Sequence, residues 1–221
     1  MDFQYFLKFI PHLVQAPLFG DASHEKMMPL ERKELLAKIN LKDNKPREAA
    51  VTMLFYPKNK ETHLALIVRN SYDGIHSAQI AFPGGKFEPE DLNFFTTALR
   101  ETEEEIGISR DKITIVKNFS PLYIPPSNFM VHPFLGICKE EIHFIPDPNE
   151  VAAIIELPLE VFRNDVVVTI ENLSTSYASF IDVPVFKING HIVWGATAMM
   201  LSELKDVLEA VFTKNNIELP K

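Results

Sequence analysis

Phe82-Pro83-Gly84-Gly85-Lys86-Phe87-Glu88-Pro89-Glu90-Asp91, followed by Ala98-Leu99-Arg100-Glu101-Thr102-Glu103-Glu104-Glu105-Ile106-Gly107-Ile108, is the stretch on which the reading of this chain turns. The spacing predicts a helix over residues 91–106, closed by Gly107 just past its end. At about 100° per residue, Leu92, Phe95, Leu99, Thr102 and Ile106 form one stripe, expected to face the core. Glu101, Glu104 and Glu105 are related by i, i+3 and i+4, so they share a different face. Glu103 points away from them into solvent.

That acidic cluster is unfavourable by local rules. Carboxylates one turn apart lie about 5–6 Å apart at Cβ and repel. They also crowd the last turns of the helix, where the dipole favours cations. A run of glutamates by itself is usually a solvated face, but here the neighbours matter. Pro83-Gly84-Gly85 lets the backbone turn tightly and approach a metal or a phosphate without obstruction by Cβ. Arg100 can brace a carboxylate or meet a phosphate. A divalent cation would reverse the sign of the repulsion, and oxygen ligands at this density suit Mg2+ or Mn2+.

A Gly-Gly turn followed by a helix carrying Arg100-Glu101, Glu104-Glu105 and Gly107 resembles the motif of the Nudix hydrolases. Thr102 stands at a position that is apolar in that motif. Six residues past Gly85 lies Asp91 where the motif has glutamate, and Arg100 comes one residue later than in the generic pattern. Both departures resemble the coenzyme A pyrophosphatase branch of the family. So do Arg69, His76, Gln79, Phe82, Pro83, Gly84 and Gly85 just upstream, and His191-Ile-Val-Trp-Gly-Ala-Thr-Ala198 near the other end. Gly74 and Ala78 depart from the branch signature, which has arginine and glycine there.

The resemblance implies a pyrophosphohydrolase that splits coenzyme A or a derivative into 3′,5′-ADP and 4′-phosphopantetheine. Glu101, Glu104 and Glu105, with the Gly85 carbonyl, would hold Mg2+ or Mn2+. Glu101 would be a ligand or the base that activates water, and Arg100 would orient a carboxylate. Arg69, His76 and Gln79 are candidate substrate contacts. A further acid is expected from a distant loop, with Glu150 the choice among Glu140, Glu141, Asp147 and Glu150. Trp194 is read as packing rather than base stacking. Two alternatives stay open: a Nudix enzyme for ADP-ribose or NADH, motivated by Gly74 and Ala78, and a non-catalytic nucleotide-sensing module.

The rest of the chain supplies a frame. Hydrophobic residues make up 46% and charged residues 24%, enough apolar material for a sizeable core. Strand-like runs cover 49–56, 63–69, 79–82, 113–118, 130–138 and 151–157, with a short helix at 159–162 and an amphipathic helix over 197–213. The expected fold is an α/β (α+β) Nudix-like sandwich, one mixed sheet between helices. Residues 1–46 form an N-terminal helical extension and 47–221 the catalytic domain. Residues 2–16 read as one amphipathic helix interrupted by Pro11, docking on the core or on a second subunit. Pro29 reads as the first residue of a second helix, packed through Leu30, Leu35, Leu36 and Ile39.

The net charge of −8 disfavours a long nucleic-acid partner, so the expected partner is a small nucleotide-linked molecule. A single cysteine, Cys138, fits a reducing cytoplasm and reads as a buried strand residue. Neither a signal peptide nor a transmembrane run is recognisable. The extension leaves a homodimer open.

Overall fold

The computed structural model describes residues 1–40, 44–70, 79–163, 168–175, 179–188 and 190–215. The N-terminal aromatic stretch forms two short helices, α1 (Phe3–Leu7) and α2 (Ile10–Gln15), rather than one kinked helix. Asp2 caps α1 by accepting the Tyr5 amide. Pro11 lies in the first turn of α2, where its missing N–H costs nothing, so it starts a helix instead of interrupting one. The break falls at Lys8–Phe9. It brings Phe9 inward beside Phe3, Phe6 and Leu13, and leaves Val14 44% exposed.

Two further helices complete the extension, α3 (Asp21–His24) and α4 (Leu30–Leu36). Pro29 is the residue before α4 and has extended backbone. The expected apolar face of α4 is inverted: Leu30 is 74% exposed and Arg32 is buried.

The larger sheet is built around β1 (Arg47–Lys58) and β2 (Glu61–Arg69). They join through a two-residue turn at Asn59-Lys60, both with positive φ, as a tight hairpin requires. β3 (Ile80–Ala81) pairs with β2, and β4 (Gly84–Lys86) pairs antiparallel with the start of β1. The helix α5 (Phe94–Ile106) follows, capped by Asn93 and closed by Gly107 at φ 73°. Next come β5 (Ile113–Asn118), β6 (Leu122–Ile124), β7 (Phe129–Cys138) and β8 (Val151–Pro158). The order is β3-β2-β1-β7-β5, with β4 on β1, β6 on β7 and β8 on β2. β1 and β7 run parallel, whereas the other pairs are antiparallel, so the sheet is mixed.

The short helix α6 (Leu159–Arg163) leads to a second, three-stranded antiparallel sheet of β9 (Val168–Leu173), β10 (Ile181–Ile188) and β11 (His191–Val193). That sheet adds to the single one expected. Pro184 interrupts the apolar alternation of β10, a segment for which the sequence suggested no strand. The chain then enters α7 (Gly195–Lys214).

β1 is buried on both faces, and its alternation separates two cores. Met53 and Phe55 pack with Phe3, Phe6, Leu13 and the apolar side of α7. Leu54 and Tyr56 pack on the other face with Ile106, Ile108 and Cys138. The sheet is thus flanked by the extension and α7 on one side and α5 on the other. Among the described residues no helix is long and apolar enough to cross a membrane.

Phe6 is fully buried with its ring 5.0 Å from that of Phe55, so the extension is part of the main core. Phe6→Ala should cost about 3–5 kcal/mol in chemical denaturation, while Val14→Ala should change stability by less than about 0.5 kcal/mol. A Phe6 effect as small as that of Val14 would make the extension an appendage.

A candidate active site at the Gly84-Gly85 turn

The two glycines serve different needs. Gly84 has φ of 152°, and a Cβ there would sit 2.3 Å from the Ala50 carbonyl oxygen and 2.5 Å from the Val51 Cα. Only glycine lets β4 close on β1 at this point. Gly85 instead faces α5: a Cβ would meet the Glu101 carboxyl carbon at 2.4 Å. The backbone of the turn therefore abuts the Glu101 carboxylate directly.

α5 is held to the sheet by polar bonds as well as packing. Thr102 Oγ1 donates to Thr52 Oγ1 at 2.9 Å, and Thr52 Oγ1 donates to the Ala98 carbonyl at 3.1 Å, all buried. This explains a threonine where an apolar residue is expected. The helix begins at Phe94, later than its sequence suggests, and its buried face is Thr97, Ala98, Thr102, Glu105 and Ile106. Leu92 lies before the helix and is 89% exposed, and Phe95 is 46% exposed, so the expected core stripe is rotated. The rotation turns Glu105 inward.

The three glutamates consequently occupy different environments. Glu105 is almost fully buried; one oxygen accepts the Gly84 amide at 2.8 Å and the other accepts Arg69 Nη1 at 3.0 Å. Burial pushes its carboxyl up to about 7, helped by the charges of Glu101 and Glu150 and opposed by Gly84 and Arg69. Glu101 is half-sheltered; burial raises its pKa, Arg100 opposes, and Glu104 and Glu150 add to the rise. Glu104 stands in solvent, 56% exposed.

Arg100 organises the outer pair. Its Nη1 donates to Glu101 Oε1 at 2.9 Å and to Glu104 Oε2 at 3.0 Å. Its Nε and Nη2 grip the two oxygens of Asp91, each at 3.0 Å, and Nη2 also reaches the Lys86 carbonyl. Asp91 in turn accepts from the Glu88 amide and from Thr97 Oγ1. The Arg100 bonds, seconded by these donors, push Asp91 down to about 2. Asp91 is thus the residue that fixes Arg100. The sequence marked it only as a deviation from a motif, although its spacing from Gly85 was the available signal.

Glu101 borders a cleft of about 450 Å³. Arg69, Gln79, Gly85, Glu101, Glu150 and Trp194 all contribute to its wall. The Gln79 carbonyl also accepts the Arg69 amide at 3.0 Å. His76, Gly74 and Ala78 lie outside the described residues. Of the four loop acids, Glu150 is the one at the cleft, with Oε2 3.9 Å from Arg69 Nη2. Glu140 pairs with Lys112, Asp147 accepts the Asn149 amide within its own turn, and Glu141 borders a separate cavity. Trp194 packs beside the small sheet and reaches the cleft as well. His132 stacks on Phe94 at 3.9 Å and bonds Glu48, away from the cleft.

The donors here are carboxylate and carbonyl oxygens, the kind a hard divalent cation takes. Glu101 and Glu104 direct oxygens at one common nitrogen, and the Gly85 backbone closes on Glu101. Among the described residues no three His, Cys, Asp or Glu side chains are gathered into an ion-holding group. Arg100 and Arg69 instead interleave with the carboxylates and offset their charge.

A NUDIX domain family model matches residues 46–176. The protein called Uncharacterized Nudix hydrolase NudL from Photorhabdus laumondii subsp. laumondii is 33% identical over 173 residues, covering 74% of this chain and 86% of that protein. Nudix hydrolase 15, mitochondrial, of Arabidopsis thaliana is 36% identical over 124 residues, 55% of this chain and 43% of that protein. The solved structure of RenU, a Nudix hydrolase from M. smegmatis, aligns with a TM-score of 0.48 at 12% identity, over 80% of this chain and 90% of that one.

The Asp91–Arg100 pair makes a prediction about pH. Asp91 has its folded pKa lowered from 3.8 to about 2, so its contribution is present above about pH 4 and lost as pH falls toward 2. Asp91→Asn should destabilise by about 2 kcal/mol at pH 7, and the gap to the wild type should close between about pH 4 and pH 2 in denaturant titrations. A gap that stays constant down to pH 2 would rule out this ionic origin.

Proposed function

This chain belongs to the NUDIX domain family, and from that footing we propose that it is a pyrophosphohydrolase of nucleoside diphosphate derivatives, with coenzyme A or a derivative as substrate. The observation that carries the reading is the abutment of the Glu101 carboxylate on the Gly85 backbone at the mouth of the cleft, with Arg100 gripping Glu101 and Glu104 together.

Glu101, Glu104 and the Gly85 carbonyl would hold Mg2+ or Mn2+, with Glu105 behind them, and such a cation when bound offsets the diphosphate charge and acidifies water. The chain's own groups divide the remaining work. Where Glu101 serves as the base rather than as a ligand of the cation, its carboxylate, its pKa raised by burial, takes a proton from the attacking water. The water oxygen bonds to one phosphorus, the bridging P–O bond breaks, and the bond electrons leave with the departing phosphate. Asp91 keeps Arg100 from rotating, so the two outer carboxylates keep their directions. Glu105 fixes the Gly84 turn and holds Arg69 at the cleft wall, where the guanidinium can meet a phosphate oxygen.

Coenzyme A is favoured within the class for two reasons. Arg69, Gln79, Phe82, Gly84, Gly85 and the Asp91 spacing match that branch in sequence. The inner wall of the cleft is aliphatic, with Ala49, Val51, Ile80 and Met200, which suits a long neutral arm better than a second sugar.

The test is product analysis of purified protein with Mg2+ or Mn2+ on coenzyme A, ADP-ribose and NADH in parallel. Release of 4′-phosphopantetheine and 3′,5′-ADP at the highest kcat/KM is expected; a preference for ADP-ribose or NADH would keep the chemistry and discard the substrate. Glu104→Gln should lower kcat by more than about 100-fold, at unchanged melting temperature because Glu104 is exposed. Turnover within about tenfold of wild type would sink the assignment of Glu104.

A further inference from the structure

The end of the cleft away from Glu101 is built partly by the N-terminal extension, which lies outside the residues that match the family model. Arg32 arrives there from α4. It is only 1% exposed, yet it forms part of the cleft wall together with Ile124, Ser127 and Phe129. Its Nη2 is anchored on the Tyr123 carbonyl at 2.5 Å, among other contacts. α4 shows leucines to solvent, Leu30 at 74% and Leu35 at 36%, while it sinks the arginine. Exposing leucines and desolvating a guanidinium both oppose folding. Inversions of that kind concentrate where function needs them.

An independent observation falls on the same wall. Ser127 Oγ is buried and has no hydrogen-bond partner among the described residues. A buried hydroxyl without a partner is uncommon and calls for one. The Ser127 carbonyl accepts Arg47 Nη2 at 2.8 Å, and the Arg47 guanidinium lies over the Phe129 ring at 4.1 Å. A second cation therefore backs this end.

Glu101 and Glu150 stand at one end of the cleft beside Arg69 and Lys86, and Arg32 with Arg47 behind it stands at the other, where no carboxylate lines the wall. From Tyr123 on β6 to Gly85 on β4 the sheet crosses β7 and β1. Three strand spacings span about 14 Å, more than twice the reach of a diphosphate. One diphosphate cannot serve both ends.

The geometry points to Arg32, assisted by Ser127, as the site that recognises a second anionic group: a phosphomonoester on the ribose of the nucleotide, remote from the scissile bond. This rests on the reading that the diphosphate sits at the Gly85 end. A guanidinium stays charged when buried and presents a planar fork that matches phosphate. The extension is then the specificity element of the enzyme, separating substrates that carry the extra phosphate from those that lack it.

The experiment is calorimetric titration of the full-length protein with 3′,5′-ADP and with 5′-AMP, which differ only by the ribose phosphate. Wild type is expected to bind 3′,5′-ADP at least about tenfold more tightly. Arg32→Met should bring the two affinities together, and Arg32→Lys should restore part of the difference. Ser127→Ala should reduce the ratio by about threefold or more without shifting the melting temperature, and it decides the matter if Arg32→Met does not fold. Equal affinities in wild type would overturn the proposal. So would an unchanged ratio in the variants, including the case in which Arg32→Met weakens both nucleotides alike, the mark of a purely structural role. Binding is read apart from turnover, so a protein that keeps this preference but hydrolyses no coenzyme A would defeat the proposed reaction and leave the Arg32 site standing.

Discussion

A carboxylate driven into the interior must find donors, and the site is assembled around the way Glu105 finds them. Its two oxygens take the Gly84 amide and Arg69 Nη1. These bonds join α5 to the β4 turn and to the end of β2. Leaving such a group unpaired would cost several kcal/mol, so the turn, the helix and the arginine are fixed as one unit. Glu101 lies against the Gly85 backbone, and Arg100 collects Glu104 from the solvent side. Positions that looked like electrostatic frustration along one helix are resolved by two arginines from different directions.

The exposed geometry of the outer site and the buried geometry of the inner one explain what could be read in advance. The β1–β2 hairpin, β5, β7, β8 and α7 follow from apolar periodicity and turn residues, and their observed bounds lie close to the expected ones. The glutamate cluster and the glycine pair were legible because their residue types at that spacing admit few other uses. The orientation of α5 was not, since Thr102 and Glu105 are buried by hydrogen bonds that hydrophobic patterning does not register. β4 and β6 are three residues each and borrow their order from longer neighbours. Arg32 offered no sequence signal at all: an arginine among leucines in a short helix reads as the wet side.

Attachment of the extension is as polar as it is apolar. Glu203 on α7 is buried, and burial works against its charge. The Gly20 amide at 2.8 Å, the Ser120 hydroxyl at 2.6 Å, the Ser120 amide and the His24 ring at 3.4 Å outweigh that cost and hold it down to about 2. Ser202 Oγ donates to the Ser23 carbonyl, and Lys26 and Ser23 meet Asp206 one turn on. This seam sets where α3 ends and hence where the chain leading to α4 and Arg32 begins. A polar seam fixes position more narrowly than an oily one, because each donor has one acceptor.

The seam also has a history in time. Gly20 and Glu203 are separated by 183 residues, and the ring of Phe9, at the break between α1 and α2, lies 5.5 Å from that of Phe212. On a ribosome adding about 5–20 residues per second, the first helices wait roughly 10–40 s for the last one. During that interval Phe3, Phe6 and Phe9 lack much of their final cover, and Arg32 has no wall to join. Until α7 is in place the cleft lacks the wall that Thr197 and Met200 supply.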